Sequence, residues 1–306
     1  MGTLDFLFQF DEPTSRLYHV NILSSLFLVI VVALLFKRND RGLLQTLQRW
    51  IFNKRYWWNA STKQDYFIYV LNGILKIVIL VPVFEFSFEI SRWTSQILIS
   101  YSPQQDTLNF PARFDYIFLF TLLAFTWDDF LRFIQHYLMH KVNFLWQFHK
   151  VHHSARILTP ITLYRAHPVE SLIAVLRNSL SLGISSGFFV FVFGGVMTAW
   201  TILGVNAFGF IFNLIGANLR HSHIRLGFGP LEYLVISPLQ HQVHHSKNPI
   251  HYDKNFGVTL SIWDQIFGTL LHSKNVGALS FGLQERFSGS FFKMLIDPFR
   301  SNSIKK

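Results

Sequence analysis

Ten of the chain's fourteen histidines fall in two short windows, residues 136–153 and 221–245. His136 and His140 stand four apart, a spacing that puts both imidazoles on one face of a helix. His149, His152 and His153 form His-x-x-His-His, and His241, His244 and His245 repeat it. Such positions share a helical stripe, so three rings converge in each case. His221 and His223 sit just after an apolar stretch, and His167 follows the 149–153 cluster within Arg165-Ala166-His167-Pro168. A lone histidine pair is commonly structural. Eight or more imidazoles packed together repel one another and lose hydration unless an electrophile takes their lone pairs. That electrophile is a metal, and neutral imidazole suits iron, zinc, copper and nickel.

The ligand number sets the ion number. A tetrahedral zinc site uses three or four protein ligands, so eight to ten histidines fit two ions with about four or five nitrogens each. Soluble di-iron proteins use Glu and Glu-x-x-His pairs instead, and no such set occurs here. His-Glu-x-x-His, a P-loop and Gly-x-Gly-x-x-Gly are also absent. With no cysteine in the chain, disulfides, iron–sulfur clusters, thiolate zinc and thiol catalysis are excluded. Redox chemistry at two nitrogen-rich irons fits what remains.

The elements that must hold these residues are apolar helices. Half of the 306 residues are hydrophobic, 17% are aromatic and 14% are charged, against about 25% charged in an ordinary soluble domain. This argues against a disordered chain, a coiled coil or a nucleic-acid-binding arm. The formal charge of +10 then reads as basic loops beside a membrane rather than as a nucleic-acid surface. Five stretches are long enough, or nearly so, to cross a bilayer: Leu17–Phe36, Tyr66–Phe88, Tyr116–Phe133, Asn178–Phe193 and Val196–Ile215. The last two meet at Gly194-Gly195 as a tight hairpin. Asp5, Asp11 and Glu12 precede the first, so it does not read as a cleaved signal peptide. The loop 37–64 is rich in Lys and Arg while 89–115 holds only Arg92 and Arg113, which puts 37–64 in the cytoplasm and the N-terminus outside. Both histidine windows then face the cytoplasm. Asp128, Asp129 and Arg132 in the third span are expected to carry polar groups into that site. Tyr56, Trp57 and Trp58 read as an interfacial belt, and the basic, aromatic tail from Phe281 as a packed or surface-lying segment.

Several runs resemble the fatty acid hydroxylase/sterol desaturase superfamily. They are Asp129-Phe130, His136-x-x-x-His140, and Leu145-Trp146-x-x-His149-x-x-His152-His153-Ser154. Further along come Gly229-Pro230-Leu231-Glu232 and Pro238-x-x-His241-x-x-His244-His245-Ser246. Asp253-Lys254-Asn255-Phe256-Gly257 and Trp263-Asp264-x-x-Phe267-Gly268-Thr269 complete the set and are similar to the alkylglycerol monooxygenase-like branch. The resemblance covers roughly 125–270. It implies an all-α, multi-pass membrane protein whose cytoplasmic helical cap holds a dimetal centre. The metal is iron when active, with zinc able to replace it in purified protein. The implied ligands are His136, His140, His149, His152, His153, His167, His221, His241, His244 and His245, with His221 preferred to His223. Among carboxylates beside the clusters (Asp128, Asp129, Glu170, Glu232, Asp253 and Asp264), those within the resembling runs, Asp129, Asp253 and Asp264, are the favoured supporting groups. One departure is Tyr137, where the family often has Arg.

The resemblance also implies dioxygen-dependent hydroxylation or desaturation of a lipid C–H bond. Nothing resembles a haem, flavin or nicotinamide domain, so electrons must come from a cytoplasmic carrier, attracted by a basic face that includes Lys141, Lys150 and Arg156. The expected home is a bacterial inner membrane or an endoplasmic reticulum. The expected organisation is a transmembrane region (1–110), a catalytic domain (111–275) and a cytoplasmic tail (276–306). The competing readings are a zinc-dependent lipid hydrolase and a metal-handling membrane protein. Transport predicts ionisable groups at the midplane of several spans, and the first, second and fifth hold none there except Lys76.

Overall fold

A computed structural model describes residues 15–35, 42–111, 113–194, 199–274, 276–284 and 290–300. Every regular element among them is helical. The longer helices are α1 (His19–Leu35), α2 (Leu43–Ile51), α3 (Ala60–Tyr101), α4 (Phe114–Lys141), α5 (Asn143–His153), α6 (Pro168–Phe193) and α7 (Ala199–Leu214). After them come α8 (Pro238–His244), α9 (Ile262–Ile266) and α10 (Phe291–Arg300). Among the described residues one helix, α6, is long and apolar enough to cross a membrane, and the two halves of α3 pass the same test together. The α3 axis turns by 56° between Ala60–Ile79 and Pro82–Tyr101, where Pro82 removes a backbone donor.

Within the described residues the five apolar stretches are mainly helical but differ in extent from the sequence expectation. The first is only 17 residues long, and the second is part of a 42-residue helix. The third continues through both of its histidines to Lys141 because its polar residues find partners: Asp128 accepts from Arg132 and Arg177. The fourth starts at Pro168, whose fixed φ suits a first helical turn. The link 195–198 at the expected hairpin lies outside the described residues.

The helices pack in pairs. α6 lies along α3, and α7 lies against α4. Close approach of α3 and α6 depends on small residues. A Cβ added at Gly183 would stand 2.6 Å from Ile90 Cβ, and one at Gly187 would collide with the Ser91 carbonyl. Phe120 and Ala124 of α4 pack with Phe189 and Phe193 of α6. Val29 and Val32 of α1 pack with Leu219 and Ile224. A third cluster joins Ile68 of α3, Val151 of α5 and Met294 of α10, so part of the C-terminal tail is packed against the body. Beyond α7 the chain forms a compact cap of short helical turns over one end of α4 and α5.

Candidate metal centre

Two groups of imidazoles form at the junction of α4, α5 and the cap. His136, His140, His149, His153 and His244 make the first, and His152, His221, His241 and His245 the second. Within each group one ring nitrogen per residue lies within 4.8 Å of the others. The division follows from helix geometry. Residues four apart differ by only about 40° around the axis, and the residue three along falls about 60° to the other side. On α5 the four-apart pair His149 and His153 enters the first group and His152 the second. On α8 and its C-cap the pair His241 and His245 enters the second group and His244 the first. The same spacing is thus used reciprocally, and each helix serves both groups. His153 and His245 meet between them with ring centroids 4.4 Å apart.

The outer ring nitrogens are held. His136 Nδ1 faces the Phe256 carbonyl at 2.7 Å and His244 Nδ1 the Lys254 carbonyl at 2.8 Å. A carbonyl only accepts, so both rings donate from Nδ1 and keep the lone pair on Nε2. His149 Nδ1 stands 2.8 Å from Glu170 Oε1. The second group has a different neighbour, the Arg220 guanidinium, whose Nη2 lies 3.3 Å from His241 Nδ1.

Metal ions fit this arrangement. His244 Nε2 is buried without a hydrogen-bond partner. His221 Nε2 lies 3.2, 3.1 and 3.0 Å from the Nε2 atoms of His152, His245 and His241. A neutral imidazole has one N–H, so these nitrogens cannot all satisfy one another. Nitrogens about 3 Å apart around a common centre stand about 2 Å from it, the usual metal–imidazole distance. Burial, followed by neighbouring imidazoles and arginines, keeps the rings neutral: His152 is pushed down to about 3, and His153, His221, His241, His244 and His245 well below the usual histidine range. Six sets of lone pairs thereby stay open to a metal at neutral pH.

Three sequence expectations need correction. His167 stands outside both groups: its Nδ1 accepts from Val169 N–H as the cap of α6, and its Nε2 faces the Leu295 carbonyl at 3.1 Å. The hydrogen bonds of Asp129 and Asp264 and the ion pair of Asp253 go to groups other than the imidazoles. Asp129 accepts from Thr259 N, Leu260 N and Trp263 Nε1, pinning the cap to α4. Asp264 accepts from the amides of Phe256 and Gly257 and from Thr269 Oγ1. It thereby holds the turn whose Phe256 and Lys254 carbonyls receive His136 and His244. Asp253 and Asn255 take positive φ (57° and 58°) in that turn, and a Cβ on Gly257 would stand 2.7 Å from the Leu260 carbonyl. Asp253 itself pairs with Lys141 at the surface. Lys150, expected on the basic outer face, is buried with its ammonium on Gln147. His223 also stands apart, stacked on Tyr56 at 3.9 Å. Glu170, weighed but not favoured, and Arg220, which no spacing singles out, are the polar neighbours the sequence reading under-weighted.

Residues 121–269 match the family model described as fatty acid hydroxylase. An ornithine lipid hydroxylase of Rhizobium tropici is 27% identical over 179 residues, 58% of this chain and 50% of that protein. Alkylglycerol monooxygenase of Xenopus tropicalis is 30% identical over 152 residues, 50% of this chain and 30% of that protein. The Homo sapiens protein of that name is 32% identical over 146 residues, 48% and 29%. The match thus spans half the length of the first relative and under a third of the other two. No solved structure matches the chain. Motif spacing, the family match and these relatives agree: over residues 121–269 the chain belongs to the fatty acid hydroxylase family, in the branch that includes alkylglycerol monooxygenase.

Proposed function

We propose that this protein is a membrane-embedded dimetal oxygenase that hydroxylates a lipid C–H bond, using dioxygen and electrons from a cytoplasmic carrier. The observation that carries this is the reciprocal pair of all-imidazole groups on α5 and α8, lying wholly inside the family match. The relatives are named as a lipid hydroxylase and as monooxygenases, which favours hydroxylation over desaturation. Two bound iron ions would supply dioxygen reduction and the oxidant that an unactivated C–H bond requires. The chain's own part is to hold nine imidazoles, to fix the Nδ1 atoms of His136, His149 and His244 through Phe256, Glu170 and Lys254, and to keep water out by burial.

In this reading α1, α3, α4, α6 and α7 cross the bilayer, with residues 1–110 as a membrane region, 111–275 as the catalytic domain and 276–306 as the tail. The N-terminus lies outside and the cap faces the cytoplasm, as the excess of Lys and Arg in 37–64 demands. Lipid reaches the centre from the bilayer, and the electron carrier docks from the water. Exposed Arg156, with Lys141, serves that docking; buried Lys150 does not.

The test is turnover of reconstituted, iron-loaded protein with lipid extract, a reductase system and isotopically labelled dioxygen. One labelled oxygen atom in the lipid product is expected. Consumption of dioxygen with an unlabelled, unsaturated product would make it a desaturase. Lipid turnover without dioxygen, with zinc as the only metal, would establish the hydrolase instead.

A further inference from the structure

Among the described residues, one edge of the cap is left uncovered. Six large apolar side chains stand exposed on it: Leu231 (62%), Tyr233 (52%), Leu234 (60%), Ile262 (42%), Ile266 (66%) and Phe267 (40%). They come from two stretches held side by side. Ser261 N–H donates to the Leu234 carbonyl and Ile236 N–H to the Thr259 carbonyl, and Val235 pairs with Leu260. Residues 228–236 and 259–270 contain two formal charges, Glu232 and Asp264. Both are turned inward and buried, Glu232 on Ser237 and Ser273, Asp264 on the Phe256 and Gly257 amides. The outward face is mostly apolar and carries no formal charge, with Gln265 as its exposed amide, in a cap whose interior is unusually polar. Contiguous exposed apolar surface of this kind marks a membrane or a partner.

Its position selects the membrane. Trp263 packs at a tilt against Phe130 with centroids 4.9 Å apart and donates to Asp129, and Phe267 packs on Phe133 at 4.9 Å. Phe130 and Phe133 close the apolar run of α4, whose Phe118, Leu119, Leu122 and Leu123 are themselves exposed. The cap edge therefore continues an apolar helix face instead of forming an island. We propose that Leu231–Leu234 and Ile262–Phe267 sit in the headgroup–acyl boundary of the bilayer and seat the cap on lipid. This rests on the membrane-spanning reading above. The edge also leads to the metal centre. Phe267 meets Tyr137 at 5.3 Å, Tyr137 meets Phe256 at 5.4 Å, and Phe256 lies 5.0 Å from His140. A lipid chain lying on Phe267 touches the outer end of an unbroken aromatic row that ends on the five-histidine group.

The cysteine-free chain permits a direct test. Single cysteines at Leu234, Ile262 and Ile266, at exposed Leu182 of α6 and at exposed Lys247 are spin-labelled in the full-length protein in lipid nanodiscs. Collisional relaxation by dissolved oxygen is compared with that by a water-soluble nickel chelate. Oxygen should exceed nickel at Leu234, Ile262 and Ile266 as at Leu182, with the order reversed at Lys247. Nickel access at the edge with oxygen access at Leu182 would overturn the proposal and leave the spanning reading intact. Shielding of the edge from both relaxants would also overturn it, by showing a protein partner or a second copy there. Nickel access at Leu182 would remove the spanning reading, and the proposal with it.

Discussion

At the level of single residues, the two histidine groups have unlike surroundings. The first faces acceptors: Glu170 on His149 and two carbonyls on His136 and His244. Acceptors on Nδ1 make an imidazole a better donor to metal. The second faces the Arg220 cation, which opposes added positive charge. We therefore expect the first group to hold its ion more tightly, with a chelator removing the second ion first. Glu170→Gln should weaken the first ion by about 10–100-fold, and Arg220→Gln should narrow the gap. Metal content followed against chelator concentration checks both. His152→Ala and His244→Ala should each lower occupancy of one group, from an expected two ions per chain, and abolish turnover. Elemental analysis of the folded variants, judged by circular dichroism, reads this out.

At the level of elements, the short cap helices and turns depend on buried carboxylates more than on apolar packing. Asp264→Ala would strand the buried Phe256 and Gly257 amides, at a cost of about 2–5 kcal/mol. It should also release the turn that receives His136 and His244, so metal occupancy of the first group falls together with the thermal midpoint. Asp253→Asn, which removes the charge at a partly exposed surface pair and still suits the positive φ there, should change stability by no more than about 1 kcal/mol. Comparing the two variants separates an internal brace from a surface pair. The resemblance to the family made both aspartates favoured supporting groups. It could not show which one turns inward, because that depends on positive φ at Asp253 and Asn255.

At the level of the whole molecule, the metal centre depends on residues outside the family match. Buried Arg165 bonds Asp65 Oδ1 at 2.7 Å, the Ser61 and Val151 carbonyls, and Ser154 Oγ. It ties α3 to the end of α5 that carries His152 and His153. Removing one member of a buried ion pair costs about 3–5 kcal/mol, so Asp65→Ala should lower both stability and metal content. Residues 121–269 expressed alone should fail to retain two ions. Acid should act on the whole centre. Six imidazoles have depressed pKa values in the fold, while the unfolded chain takes up protons near pH 6.5. Stability of metal-free protein is then full above about pH 6.5 and falls as the pH drops through that value toward about 3. Denaturation midpoints at pH 8 and pH 5 test the sign.

The sequence by itself determined the histidine stock, the helical spacing that makes rings converge, the excess of ligands over one ion, and the apolar helices that carry them. These are properties of residue type and local periodicity, and they survive any arrangement of the helices. The tertiary structure decided how nine histidines divide into two groups. It also excluded His167, brought Glu170 to His149 and Arg220 to His241, and turned Asp129 and Asp264 into braces for the cap. Those outcomes depend on which faces of α4, α5 and α8 meet, and on where a 253–257 turn points its carbonyls. No sequence period encodes that, because packing between elements distant along the chain sets it.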